Sequence, residues 1–374
     1  MNSLFVGPYR QNDGWGAASR DYIKAISTQI PYLSTRPIYY TNNHVNEIDK
    51  QIKEYESSLY SNYDIVFQKC LPHSFTVDKK IKKNVGITML ETNDISRSVS
   101  INIINQLDEI LVPSSQEAKC LKLSGVNIPI KIISQPIDVN FYHNNIDYKL
   151  DLSSTLDKTF KFYTIGEFIE RKNLLDLVLA FHLAFEDTDK VSLILKTNHP
   201  AADSKRSLSI IKEEIENLKK KMNIRQRYKN EIIITDRLTD KDMVGLHNSC
   251  DCFVMPSCGE SFCRPAAEAL ILGKTPIVTD NTGMVDFINS DNGYIVNSRK
   301  CPVLLNQRSL SNDFDIYNAY EYWYRPNVYH LAECMVNIYN LYKKDKKAYD
   351  IKKQKGIDAA SQFSYENIGK KICA

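Results

Sequence analysis

The chain has 374 residues, of which 43% are apolar and 25% charged, with a net charge of +3. Those values fit an ordinary globular protein of about two domains at roughly 150 residues each. The balanced charge gives no bulk argument for nucleic acid or an anionic membrane as partner. No segment approaches the roughly 18 apolar residues that span a bilayer. Met1–Arg10 lacks the basic and apolar regions of a signal peptide. The expectation is a soluble, cytoplasmic protein.

Taken in chain order, strand-like and helix-like segments alternate. Ser3–Val6 reads as a strand, followed by a Gly-containing loop and a helix near Ala17–Thr28. Ile65–Gln68, Val85–Met89 and Glu109–Val112 read as further strands. Ser114 and Ser115 suit the N-cap of a helix over Gln116–Ser124, and Ile130–Ser134 is a strand. Asn144–Thr159 is polar and without period, which predicts an interdomain linker. A second series follows: strands at Lys161–Ile165, Val191–Leu195, Glu231–Thr235, Asp251–Met255 and Thr275–Thr279. Helices are predicted between them over Asn173–Phe185, Lys205–Lys221, Asp240–Ser249 and Pro265–Leu272, and a further helix begins at Gly283–Ile288. This alternation predicts an α/β fold with parallel sheets covered on both faces. Ligands are then expected at the carboxyl ends of the strands. The expected domains are 1–150, joined by a closing helix at about 363–374, and 151–362.

Nine cysteines are scattered without a CxxC pair. The tightest cluster, Cys250, Cys252, Cys258 and Cys263, does not fit common zinc spacings and reads as buried small hydrophobes. An odd number of thiols fits a reducing compartment.

The chemistry concentrates in Pro256-Ser257-Cys258-Gly259-Glu260-Ser261-Phe262-Cys263-Arg264-Pro265-Ala266-Ala267-Glu268. A strand ends at Met255, a loop of small residues follows, and Pro265 stands where a helix begins. Backbone N–H groups at such a helix start attract anions. Glu260 and Glu268 flank the same strand end, and carboxylates accept paired hydrogen bonds from vicinal sugar hydroxyls. A second cluster, Gly166-Glu167-Phe168-Ile169-Glu170-Arg171-Lys172, lies between a strand and a helix. Its adjacent cations suit a diphosphate leaving group. A third, Gly7 to Arg20, includes Gly14-Trp15-Gly16, whose glycines permit positive φ and close ligand approach.

The first of these segments resembles the E-x7-E signature of retaining GT-B glycosyltransferases, especially glycosyltransferase family 4, also called group 1. Gly273, Pro276, Thr282 and Gly283 extend the resemblance downstream. It implies two Rossmann-like domains facing each other across a cleft. It further implies that Glu268 binds the donor ribose and that Glu260 faces the transferred sugar. Ser261, Phe262, Cys263 and Arg264 would hold sugar hydroxyls and phosphate, with Gly166, Thr282 and Gly283 lining the donor. Ser261, Cys263 and Arg264 depart from the commoner glycine, glycine and leucine, and Glu167 stands at the family's usual arginine position. Lys172 matches the family lysine, and Arg171 is the substitute for the missing arginine. Gly14 and Gly16 would be donor-binding, in the first loop of such enzymes that faces the donor diphosphate and the acceptor, with Trp15 and Glu91 on the acceptor or sugar side. His73 reads as structural. The aromatic-rich stretch Asn297–Asn327 exceeds the usual core and has no assigned role. The tail Phe363–Ile368 looks like the closing helix.

The resulting expectation is a glycosyltransferase moving a sugar from a nucleoside-diphosphate sugar, with UDP or GDP as the nucleotide, to a glycan or lipid-linked acceptor. Glu260, Arg171 and Lys172 are its catalytic residues. No Asp-x-Asp occurs in a pocket context, so no metal and no tightly bound cofactor is expected. Three alternatives stay open: a DNA-modifying glycosyltransferase acting on a hydroxymethylated base, a non-catalytic GT-B sugar-nucleotide or glycan binder, and a nucleotide-sugar epimerase. The only compact cationic run of the first domain, Lys79, Lys80, Lys82 and Lys83, is explained more cheaply as a solvated face than as a DNA track.

Overall fold

The computed structural model describes residues 2–45, 47–60, 62–152, 156, 158–303 and 320–374. They form two compact units, Met1–Asn140 with Gln362–Ala374, and Phe141–Ser361.

The first unit is built on a parallel sheet of six strands: β1 (Asn2–Gly7), β2 (Tyr32–Pro37), β3 (Ile65–Lys69), β4 (Lys83–Ile87), β5 (Glu109–Val112) and β6 (Ile130–Ile132). Their spatial order is β2-β1-β3-β4-β5-β6. Strand β1 pairs with β2 on one side and β3 on the other, so the topology switches direction between β1 and β3. That is where an open α/β sheet leaves a crevice at its carboxyl edge. Helix α1 (Gly14–Ser27) covers one face, burying Tyr22, Ile23 and Ile26 against Phe5, Leu33 and Phe67. The short helices α2 (Lys50–Ser57), α3 (Ser100–Ile104) and α4 (Ser115–Leu123) complete the layers. Ser114 caps α4, accepting from the Glu117 amide.

The C-terminal helix α12 (Tyr365–Cys373) packs on α1 within this unit. The crossing depends on Gly369, where a Cβ would stand 2.2 Å from the Ala25 carbonyl oxygen. Tyr365 adds a hydrogen bond of 2.5 Å to Asp21.

The second unit begins within α5 (Val139–Asn144). Its sheet contains β7 (Phe160–Ile165), β8 (Val191–Lys196), β9 (Ile232–Ile234), β10 (Cys252–Met255), β11 (Ile277–Thr279) and β12 (Tyr294–Val296). They are ordered β9-β8-β7-β10-β11-β12 and all pairs are parallel. The switch point lies between β7 and β10. Helices α6 (Leu174–Ala184), α7 (Ser204–Met222), α8 (Asp240–Ser249) and α9 (Arg264–Ile271) are the crossovers, and α10 (Val328–Lys344) and α11 (Lys346–Ala360) close the unit. The core stacks Phe160 and Phe162 of β7 on Phe181, Phe185 and Tyr339.

The structure changes one expectation and adds detail to two others. The segment from Gly283 is a single 3-10 turn over Gly283–Asp286, not a longer helix. The polar stretch after Asn144 is tied to α8: Leu150 N donates to Gly245 O at 3.1 Å, and Asn248 donates to the Asn145 and Tyr148 carbonyls. Gly245 is required there, since a Cβ would lie 2.8 Å from the Tyr148 ring. The excursion at 297–327 contains an antiparallel hairpin of β13 (Ser298–Pro302) and β14 (Tyr322–Pro326), and residues 304–319 of that stretch lie outside the described residues.

Candidate donor site at the switch point of the second unit

Strands β7 and β10 are neighbours, so the loops leaving their carboxyl ends lie side by side although they are about ninety residues apart in sequence. The loop after β7 holds Gly166 and ends in a 3-10 turn, Glu170–Lys172. Asn173 then adopts a left-handed conformation (φ 56°) and opens α6. The loop after β10 runs from Pro256 to Cys263, and Pro265 sits in the first turn of α9.

One carboxylate oxygen joins the two loops. Glu260 Oε1 accepts from Lys172 Nζ at 2.5 Å, Ser257 Oγ at 2.8 Å and Arg171 Nη1 at 3.1 Å. Arg171 Nη1 also donates to Gly259 O at 2.7 Å, and Cys258 N donates to Arg171 O at 2.7 Å. All three ionic side chains are buried or nearly so. Burial alone would raise the Glu260 carboxyl, but the charges of Lys172 and Arg171 outweigh it and hold the group below the ordinary range. Two cations against one carboxylate leave this cluster one net positive charge. The two basic residues read from the sequence as diphosphate candidates thus converge on the glutamate read as a sugar-facing candidate.

The second carboxylate has its own partners. Glu268 Oε1 accepts from Tyr142 OH at 2.5 Å and Arg264 Nε at 2.7 Å. His247 Nε2 stands 3.5 Å from Oε2, an ion-pair distance rather than an aligned hydrogen bond. His247 Nδ1 lies 2.6 Å from Tyr163 OH. Burial pushes the Tyr163 phenol well up, and the imidazole tautomer decides which group donates in that contact. Burial would also raise Glu268, yet His247, Arg264 and Tyr142 together bring its carboxyl down to about 2. The group is an anion at neutral pH despite being only 6% exposed.

The remaining predicted residues of this unit lie on these two loops or on the turn after β11, which is bonded to the Glu260 loop. Gly283 N donates to Glu260 O at 2.8 Å, and Thr282 Oγ1 bonds back to Thr279 O. Phe262 stacks on Phe287 with ring centroids 5.1 Å apart. Ser261 is buried beside them. Cys263 has φ +66°, a left-handed backbone that favours glycine, which matches the family's glycine at that position. Gly166 is less constrained, because a Cβ there would make only ordinary contacts with Met255 and Lys172.

Gly14, Trp15, Gly16 and Glu91 belong to the first unit. Gly14 and Gly16 are not a left-handed loop: they form the first turn of α1, capped by Asp13, which accepts from Gly16 N at 2.9 Å. Gly16 is needed for close packing, since a Cβ would fall 1.9 Å from Gln11 O, whereas Gly14 faces open space. Glu91 is half-buried beyond β4. His73 is exposed in the turn Pro72–Ser74.

Several residues escaped the sequence reading. Lys69, the last residue of β3 at the other switch point, is fully buried beneath Trp15: its Nζ lies 4.5 Å from the ring centroid and 3.4 Å from the Trp15 carbonyl oxygen. Burial lowers its ammonium to about 7, only partly offset by Asp13 and Asp21. Tyr142, His247 and Tyr163 come from three separate elements and carry no local signature. The Arg264–Glu268 pair was readable from its i,i+4 spacing.

Among the described residues no group of His, Cys, Asp or Glu is placed to hold a metal ion, and no helix is long and apolar enough to cross a membrane. The nine cysteines are all free thiols, with Cys250, Cys252, Cys258 and Cys263 buried.

Residues 152–303 match the model of the family Glycosyl transferases group 1. No curated protein sequence matches the chain. Among solved structures, Anabaena HepE in complex with UDP and glucose superposes with a TM-score of 0.63 at 14% identity, covering 100% of this chain and 98% of that one. Sucrose-phosphate synthase from Thermosynechococcus elongatus gives 0.65 at 13% identity, with 100% and 98% covered. The trehalose-6-phosphate protein from E. coli bound with UDP-2-fluoro glucose gives 0.68 at 9% identity, again with 100% and 98% covered.

Proposed function

The chain carries a group 1 glycosyl transferase domain on the GT-B fold and is a glycosyltransferase, and from that premise we propose that it transfers a sugar, with retention of anomeric configuration, from a nucleoside-diphosphate sugar to a hydroxyl of a glycan or lipid-linked acceptor. The observation that carries the proposal is the ion cluster at the β7–β10 switch point, with Lys172 and Arg171 converging on Glu260 beside the ionised Glu268.

The chemistry follows from charge. Breaking the bond between the sugar and the diphosphate places negative charge on the departing oxygen. The Arg171–Lys172–Glu260 cluster carries one net positive charge before the donor arrives, and Lys172 and Arg171 stabilise the leaving diphosphate. Glu260, fixed by Ser257, is an acceptor for hydroxyls of the transferred sugar. Glu268 accepts the ribose hydroxyls, with His247 and Arg264 keeping it ionised. UDP is the favoured nucleotide, because HepE and the E. coli protein are solved with UDP or a UDP-sugar.

A thermal-shift panel of UDP-, GDP-, ADP- and CMP-sugars tests the donor assignment. A ligand at 100 times its Kd adds about 2.7 kcal/mol, which is visible as a raised melting temperature. The proposal expects a shift with a UDP-sugar that is lost in Glu268→Gln. A shift of equal size in the variant removes Glu268 from the donor site.

A further inference from the structure

Two adjacent residues of β14 hold the two sides of the ion cluster. Tyr324 N donates to Cys258 O at 2.9 Å, gripping the loop that carries Glu260. Arg325 forms a two-pronged ion pair with Asp176, Nε to Oδ2 and Nη2 to Oδ1, both at 3.0 Å. Asp176 lies in the first turn of α6, four residues after Lys172. The planar guanidinium fixes direction as well as distance in such a pair.

The strand is seated for this work. Trp323, 1% exposed, packs with Cys258 and Val303, while Cys301 lies against them. Trp323 is the buried anchor of β14, whereas the Arg325 side chain, 43% exposed, reaches along the surface to the buried Asp176. Tyr322 and Tyr324 flank Trp323 on the strand, with Lys300 over the Tyr322 ring at 3.5 Å. The loop of Glu260 is thus held from both sides, since Cys258 N donates to Arg171 O while Cys258 O accepts from Tyr324 N.

We propose that the β13–β14 hairpin is a brace that sets the spacing between the Arg171–Lys172 turn and the Glu260 loop, with Arg325 and Asp176 as its positioning residues. The inference rests on the transferase reading for its kinetic consequence but not for its structural one. Neither residue touches the reacting groups. They act on where Lys172 and Glu260 stand, and a displacement of about 1 Å at such groups costs on the order of 100-fold in rate.

The experiment compares Arg325→Met, Arg325→Lys and Asp176→Asn, with rates normalised to folded protein. Two readouts are taken: kcat and KM for a donor the wild type turns over, and hydrogen exchange at the Cys258 and Tyr324 amides. Arg325→Met and Asp176→Asn are expected to lower kcat roughly tenfold with donor KM within about threefold, and Arg325→Lys to recover part of the loss. The two amides exchange roughly tenfold faster in the same variants. Wild-type kcat in both variants, or unchanged exchange at both amides, overturns the brace. If Arg325→Met does not fold, Asp176→Asn, which keeps its shape, decides alone. A wild type that turns over no donor removes the transferase proposal, and the exchange readout then judges the brace by itself.

Discussion

Replacing Glu268 by glutamine separates its ionic role from its shape. Burial opposes the charge of this side chain, and His247, Arg264 and Tyr142 reverse that opposition, leaving the folded carboxyl at about 2. An unfolded glutamate titrates near 4.3, so the difference corresponds to about 3 kcal/mol in favour of the folded state at pH 7. The folded value is the depressed one, so this stability is fully present above about pH 5 and is lost as pH falls toward 2. By pH 3 about 1 kcal/mol should remain.

A molecule of two units does not unfold in one step, so the probe must report one unit. The chain has two tryptophans, Trp15 in the first unit and the buried Trp323 in the second. In a Trp15→Phe background, fluorescence follows the unit that contains Glu268. Urea unfolding with and without Glu268→Gln should show a gap of about 3 kcal/mol at pH 7 that shrinks to about 1 kcal/mol at pH 3. A gap that is the same at both pH values, or absent at pH 7, refutes the reasoning.

Three further outcomes are expected. Lys172→Met should lower kcat/KM at least ~100-fold by removing a cation from the leaving diphosphate, and an unchanged rate would remove that assignment. Lys69 behaves in the opposite sense to Glu268: its folded ammonium sits at about 7, below the unfolded value near 10.4. The unfolded chain therefore binds the extra proton between those values, and stability of the first unit should rise from pH 7 to 10. Lys69→Met should abolish that rise, measured by thermal melting across the range. Gly16→Ala should destabilise the first unit by roughly 2 kcal/mol or more, since its Cβ meets the Gln11 carbonyl oxygen, and an unchanged melting temperature contradicts this.

Much of the second unit was legible because buried parallel strands read as short apolar runs, as in Val191–Lys196 and Cys252–Met255, with capped helices between them. Strand β2 was not, because Ser34 and Thr35 are buried polar residues within Tyr32–Pro37 and break the apolar run. The turn at Gly283 began like a helix but closed after four residues, where Gly283 N is committed to the Glu260 carbonyl of another loop. In the site, Glu260, Glu268 and the Arg171–Lys172 pair stood out individually. Their convergence on one oxygen depends on β7 and β10 being neighbours, which only the sheet order specifies. Tyr142, His247 and Arg325 act across elements 21 to 149 residues from their partners, and no local spacing encodes such contacts. Lys69 was hidden by its strand: within Ile65–Lys69 a terminal lysine reads as the solvated end of a run, whereas the fold buries it completely.

The central claim is most directly tested by measuring nucleoside-diphosphate release from UDP- and GDP-sugars by the wild-type chain beside Glu260→Gln, both verified as folded. The account predicts release from one of these donors by the wild type and a loss of at least ~100-fold in the variant. Equal release by both proteins, or none by the wild type from any donor, would contradict it.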